Sequence, residues 1–261
     1  MNISSLLKKR NYEYLYNIIK PYPKGVKNTP KDYSEFSKLS DIIAYLDVSS
    51  YDKIVVVASG PSSKTLTLED KALYFTTNKA IALVKDYNHA YIVNDSYYMS
   101  TYLKRYKPTE TWKGTFFWYT TTPAMRENTV IKMLYKYLGN KSRARREFLI
   151  TNVDEGKALP TIHEELITFV KDKLGINYFG VNSGFVTLVL AYIIADLTNK
   201  NIEIYGLDMG EKGEGYFDKK VTVGKSIKGE STKKIVGEFL DKVYEQKGEK
   251  IINNSYFKTK L

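Results

Sequence analysis

Small polar residues and glycines recur where apolar, strand-like runs of this chain end. Ser59-Gly60-Pro61-Ser62, Asn78, Asn94-Asp95, Ser183-Gly184 and Gly206-Leu207-Asp208 all adjoin such runs. Their chemistry is that of binding. A glycine lets a phosphate or sugar come close to the backbone, and serine hydroxyls and asparagine amides offer donors and acceptors to a base or sugar. Any one of them is an ordinary turn residue; their recurrence at several strand ends points to one crevice. The first loop is not a dinucleotide fingerprint, because Ser59-Gly60-Pro61-Ser62 lacks the second and third glycines, and it lacks the Gly-Lys-Ser/Thr of a P-loop. The absence of cysteine excludes disulfides and thiolate chemistry, and two histidines, His89 and His163, leave little for a zinc site. Both histidines read as mainly structural.

These residues need a sheet to bring them together. The stretch from Tyr178 to Tyr216 reads as a short strand, a tight turn at Gly180 and Asn182-Ser183-Gly184, a helix from about Phe185 to Leu197, and a strand from Ile202 to Tyr205. Val186, Leu190, Ile193, Ile194 and Leu197 fall at helical spacing, while Val189, Ala191 and Ala195 leave few polar positions. Such a helix must be buried on more than one side. Strand, turn, buried helix and strand make the βαβ unit of an open parallel sheet, whose ligands sit beyond the carboxyl ends of the strands. The β-branched run from Lys53 to Ala58 predicts a buried strand, with further strands at Leu73 to Thr76, Ala90 to Val93, Thr115 to Tyr119, Phe148 to Thr151 and Lys250 to Asn253. Helices are expected over Ile162 to Leu174 and Ser231 to Gln246. The predicted fold is α/β: a mostly parallel, Rossmann-type sheet flanked by helices. Residues 1–50, broken by Pro21, Pro23, Gly25 and Pro30, read as an N-terminal helical appendage, and residues 51–261 as the binding domain. Within it, the glycine- and lysine-rich segment 210–229 is expected to be a mobile lid.

Forty Lys+Arg against 29 Asp+Glu give a net charge of +11, which favours anionic partners: nucleotide phosphates, nucleic acid or a membrane surface. A composition rich in lysine, tyrosine and asparagine accounts for the charge equally well. Lys219, Lys220, Lys225 and Lys228 are the expected phosphate partners, whereas Arg143, Arg145 and Arg146 either attract an anionic acceptor or form a solvated face. No run of about 18 apolar residues predicts a membrane span. The first residues lack the apolar core of a signal peptide, so the expected location is cytoplasmic. The appendage has three expected uses: covering the sheet, touching an acceptor, or assembly into a homo-oligomer.

A wider set of residues carries a family likeness. The Ser-Gly-Pro-Ser loop after the first strand, Asn78, Asn94, Asn182-Ser183-Gly184 opening a helix, Ile204-Tyr205-Gly206-Leu207-Asp208, Gly213-Glu-Gly-Tyr216-Phe-Asp218 and Glu238 to Tyr244 together resemble the bacterial sialyltransferases of glycosyltransferase family 42. The likeness covers residues 53 to about 250. Two of these motifs also occur in the 6-hydroxymethylpterin diphosphokinase-like family. The resemblance implies a GT-A-like domain that binds a CMP-sugar without a metal, in keeping with the absence of any Asp-x-Asp in the sequence. It implies that Ser59, Gly60, Pro61, Ser62, Asn78, Ser183, Gly184, Gly206 and Asp208 line the nucleotide, that Asn94 lies near the donor sugar, and that Tyr216 hydrogen-bonds the departing phosphate. A phenol there would stabilise developing negative charge.

Three positions depart from the family's pattern. Gly210 stands where a second phosphate-facing tyrosine is expected, Lys228 where the general-base histidine is expected, and Gly180 where an arginine is expected. An unperturbed lysine is protonated near pH 7 and cannot take a proton. Asp95, beside Asn94, is the substitute base, unless it serves only as a helix N-cap; Asp208 is a second candidate. The expected activity is an inverting, metal-independent transfer of a sugar from a nucleotide-activated donor, CMP-sialic acid or another. The acceptor would be a glycan or a modified nucleic acid, with no cofactor beyond the nucleotide-sugar co-substrate. A pterin-type pyrophosphokinase, which the missing acidic pair for Mg²⁺ disfavours, and a non-catalytic nucleotide- or nucleic-acid-binding protein are the alternatives.

Overall fold

A computed structural model describes residues 38–93, 114–120, 147–151, 162–177, 182–212, 216–217 and 229–259. The described residues form one seven-stranded sheet in which every pairing is parallel. Its strands are β1 (Lys53–Val57), β2 (Ala72–Thr77), β3 (His89–Val93), β4 (Gly114–Thr120), β5 (Glu147–Thr151), β6 (Asn201–Tyr205) and β7 (Ile251–Asn253). The described helices are α1 (Leu39–Tyr45), α2 (Ile81–Val84), α3 (Ile162–Leu174), α4 (Ser183–Leu197) and α5 (Glu230–Lys247). Strand order across the sheet is β5-β4-β3-β2-β1-β6-β7. The chain steps outward from β1 to β5 and then returns to the other side of β1 for β6 and β7. Strand order therefore reverses between β1 and β6, and in open α/β sheets the crevice beyond the carboxyl ends at such a switch point is where ligands bind.

The period-2 alternation of the strands splits the core into two layers. Ile54, Val56, Leu73, Phe75, Ile202 and Ile204 face α3, α4 and α5, while Val55, Val57, Ala72 and Tyr74 face α2 and the partly buried Leu66, Tyr87, Tyr205 and Phe217. With both faces covered, β1 is buried from Ile54 to Val57, which is why its sequence is unbroken valine and isoleucine rather than alternating.

Helix α4 is the spine of the first layer. Its residues Phe185 to Ala195 are all buried, as its all-round apolar sequence predicts. Phe239 of α5 meets the rings of Phe185 and Tyr192 edge to face, with centroids 5.2 and 5.5 Å apart, and Phe169 of α3 meets Tyr192 at 6.4 Å. Such pairs add about 0.5–1.5 kcal/mol each beyond area burial. The far end of α4 is held by charge: Asp196 accepts from Lys247 at 2.5 Å and lies 3.6 Å from Lys173.

Of the N-terminal appendage, only residues 38–50 are described. They share the first core layer: Leu39, Ile42, Leu46 and Val48 are buried in it, and the Leu39 N–H donates to Glu165 Oε2 at 2.8 Å. No helix among the described residues is long and apolar enough to cross a membrane. The expected strand at Tyr178 and the start of the N-terminal appendage lie outside the described residues.

Candidate functional site

The two loops at the switch point run side by side because the ladder continues past the strands. The Ala58 N–H donates to Tyr205 O and the Gly60 N–H to Gly206 O, both at 2.8 Å. Gly206 has φ +75°, and a Cβ there would lie 2.1 Å from the carbonyl oxygen of Ala58. A Cβ on Gly60 would lie 2.3 Å from Asp208 Oδ2 and 2.5 Å from Gly206 O. The space that Gly60 leaves is filled by the chain's own β6 turn. Sequence reasoning assigned that space to a ligand, and the local pattern gave no sign of the Asp208 side chain lying across it.

Asp208 is 1% exposed, and its carboxylate is fully engaged. Oδ2 accepts from the Ser62 N–H at 2.8 Å; Oδ1 accepts from Ser62 Oγ and from the Tyr256 N–H, each at 2.6 Å. Ser62 Oγ in turn accepts from the Gly206 N–H at 2.8 Å. A buried carboxylate is tolerated only when donors replace its water, and three do so here. Asp208 and Ser62, both expected at the nucleotide, are brought together, but with their polar atoms turned to each other. Asp208 is thereby in no position to serve as a base. The turn that follows is tightly wound, with φ of +50°, +84° and +50° at Met209, Gly210 and Lys212. It is fastened outside by the Lys233–Glu211 ion pair at 2.5 Å and by the Lys212 ammonium 4.9 Å from the Tyr256 ring centroid.

Five further expected residues stand around this junction. Ser59 is buried, its Oγ donating to Thr77 O at a long 3.4 Å, so the β1 loop touches the end of β2. Asn78, the next residue, holds φ +49°, a conformation that asparagine tolerates better than most residues. Its Oδ1 is buried and meets no hydrogen-bond partner among the described residues. Leaving such an acceptor unpaired costs about 1–3 kcal/mol, which a ligand donor would recover. Gly184, in the first turn of α4, lies against the same place: a Cβ on it would sit 3.2 Å from Ala58 Cβ and 3.3 Å from Leu207 Cδ1. The amino end of α4 thus abuts the carboxyl ends of β1 and β6, with Ser183 half-buried there. Asn182 caps the helix, its Oδ1 accepting from the Phe185 N–H at 2.9 Å. Pro61, half-buried, opens the short 3-10 helix Pro61–Thr65 that carries Ser62.

Tyr216 comes to this edge through its neighbour. The Phe217 N–H donates to Ser59 O at 2.9 Å, and the Phe217 ring packs with Tyr205 on the second core layer. Tyr216, half-buried, is therefore one residue from a direct bond to the β1 loop. Of the expected lid, residues 210–212, 216–217 and 229 are described. Asn94, Asp95, Lys219, Lys220, Lys225, Lys228 and Arg143, Arg145 and Arg146 lie outside the described residues, as does the side chain of His163.

Two strongly shifted groups lie away from the switch point. His89, at the amino end of β3, is buried with Nδ1 bonded to Tyr87 O at 2.8 Å; burial pushes its pKa down to about 4, against the pull of that carbonyl. Burial also works against the charge of Lys53, but hydrogen bonds to Glu203 at 2.7 Å and Glu69 at 2.8 Å outweigh it and hold the ammonium pKa above its ordinary value. Both groups sit at the amino edge of the sheet and serve the fold.

The last strand lies where the sequence predicts it, but the part its following residues play at the site was not foreseen. The Ser255 hydroxyl accepts from the Leu207 N–H at 3.0 Å, and Tyr256 bonds Asp208 through its backbone. Asn253-Asn254-Ser255 is one more polar cluster at a strand end, so the rule that found the other loops extends to it. No family model, curated protein or solved structure matches the chain.

Proposed function

We propose that the chain binds a nucleotide-activated sugar beyond the carboxyl ends of β1, β2 and β6 and transfers the sugar to an acceptor hydroxyl, as an inverting, metal-independent glycosyltransferase with a GT-A-like domain. One observation carries this reading. The Phe217-to-Ser59 hydrogen bond puts Tyr216, the expected phosphate partner, one residue from a direct bond to the β1 loop at the switch point. The buried, unpaired Asn78 Oδ1 beside that loop supports it, since it suits an amino donor on a base or a sugar hydroxyl.

In the proposed reaction the acceptor oxygen bonds the anomeric carbon from one side while the bond from that carbon to the phosphate oxygen breaks on the other. The nucleotide leaves with that electron pair, and the acceptor proton passes to a base. Tyr216 would donate its phenol proton in a hydrogen bond to the leaving phosphate, where charge grows in the transition state. Asp95 is the proposed base. Asp208 is not, given its three donors and its burial. CMP-sialic acid is the first donor to try, by the sequence resemblance, with a glycan as first acceptor and a modified nucleic acid as second.

A second reading, a nucleotide-binding protein without transfer activity, is favoured by Lys228 and Gly210 standing where a histidine and a second tyrosine are expected. Calorimetric titration with CMP, UMP and GMP in the presence of a chelator, followed by donor hydrolysis assays, separates the two. Pyrimidine nucleotide binding without metal is expected, with release of CMP from a CMP-sugar or of UDP from a UDP-sugar. Binding that needs Mg²⁺ or Mn²⁺ would remove the chain from this class, and binding without any turnover would favour the second reading.

A further inference from the structure

Asp208 joins three segments that are far apart in sequence. Ser62 belongs to the β1 loop, Asp208 to the β6 turn and Tyr256 to the chain beyond β7, and all three meet at one carboxylate. The tie is reciprocal, because Ser62 Oγ accepts from the Gly206 N–H while donating to Asp208 Oδ1. Around it the same three segments are stitched twice more: Gly60 N–H to Gly206 O between the first two, and Leu207 N–H to Ser255 Oγ between the last two. Asn253 Oδ1 fixes the third segment by accepting from the Ser255 N–H at 2.9 Å. The cation over the Tyr256 ring, Lys212, comes from the β6 turn itself. No polar atom of this junction requires a ligand, yet the loop it fixes, Ser59 to Ser62, follows the carboxyl end of β1 at the switch point.

We infer that Asp208 is a positioning residue, which shapes the Ser59–Ser62 loop for a nucleotide from behind, and that residues 253–256 belong to the binding site through it. The inference rests on the nucleotide-binding reading. A carboxylate bonded to a loop N–H fixes the loop's backbone, and a loop already in its bound form loses less freedom when the ligand arrives. The sequence motif placed Asp208 at the nucleotide; the geometry puts Ser62 in between. Ser255 and Tyr256, which no motif included, become the third support of the same loop.

The test is a double-mutant cycle on nucleotide affinity, read together with amide exchange. CMP and UMP are titrated into the parent, Asp208→Asn, Ser62→Ala and the double variant, and exchange at Ser62, Gly206 and Tyr256 is followed in each without nucleotide. Asp208→Asn keeps the shape and removes the charge, and Ser62→Ala is the milder change should the first fold poorly. Each single variant is expected to weaken binding by about ten- to a hundredfold, the double variant no further than the worse single one, and all three amides to exchange faster. Ser255→Ala, remote from the β1 loop, is expected to weaken binding in the same direction. Multiplying losses in the double variant would mean that Asp208 meets the nucleotide itself, and would overturn the proposal. Faster exchange with unchanged affinity would also overturn it, since the tie would then serve stability alone. A parent that binds neither nucleotide would sink the nucleotide reading, and this proposal with it; the first two results sink the proposal and leave that reading standing.

Discussion

Replacing Gly206 with alanine would put a methyl group where β1 and β6 leave no room. Gly206 holds φ +75°, and its Cβ would lie 2.1 Å from the oxygen and 2.6 Å from the carbon of the Ala58 carbonyl. Both are backbone atoms in the most buried strand region, so no side chain can swing aside. Two effects follow. Holding an L residue in the left-handed region costs about 1–2 kcal/mol. Relieving the overlap needs roughly 1 Å of separation between the strand ends, which stretches the Ala58-to-Tyr205 and Gly60-to-Gly206 hydrogen bonds; each is worth about 1 kcal/mol net, and overpacking itself costs about 1–3 kcal/mol. The expected loss is about 3–8 kcal/mol, comparable with the whole stability of an ordinary domain. Gly175 supplies the control. It has φ +68° just past α3, with nothing within 4 Å of an added Cβ, so Gly175→Ala should show the conformational cost alone, about 1–2 kcal/mol. Urea unfolding of the parent and both variants, followed by circular dichroism, gives the comparison. Gly206→Ala within about 1 kcal/mol of Gly175→Ala would refute the claim that the two strand ends are locked together.

Four further outcomes are expected. The unfolded chain protonates His89 from about pH 6.5 downward while the folded chain waits until about pH 4, so stability is full above pH 6.5 and falls between these values by roughly 2–5 kcal/mol; His89→Asn should flatten that part of the pH profile of urea midpoints, and an unchanged slope would show the site to be open to water. Phe239→Ala, which removes the ring that Phe185 and Tyr192 both meet, should cost about 3–5 kcal/mol in the same assay, and a loss under 1 kcal/mol would contradict the packing described for α4. Asn182→Ala deletes the cap of α4 and should cost about 0.5–2 kcal/mol, with faster amide exchange at Phe185 as its local signature. Tyr216→Phe should leave donor binding nearly unchanged while turnover at saturating donor falls about 10²–10³-fold, and a Phe variant as fast as the parent would end the phosphate assignment.

Much of the scaffold was legible because it follows from local patterns. The run Lys53–Val57 is β-branched because both its faces are buried, and the helix beginning at Ser183 is apolar all round because other helices and the sheet enclose it. The sequence pattern predicts a strand at each of the seven places where the described residues form one, and small polar residues do gather at the carboxyl ends of β1, β2 and β6. What the sequence determined by itself was therefore the kind of fold and the edge at which its polar loops collect, since hydrophobic period and turn chemistry act over a few residues. The tertiary structure alone decided the strand order, with β6 returning beside β1, and hence which loops share the switch point. It decided that Gly60 makes way for Asp208, that Ser62 and Tyr256 share its carboxylate across separations of 146 and 48 residues, and that Leu39 to Val48 complete the core instead of standing apart from it. The physical reason is the same in each case. A hydrogen bond or a packed side chain needs one partner at about 3–4 Å, and which distant segment supplies it depends on how the whole sheet is assembled.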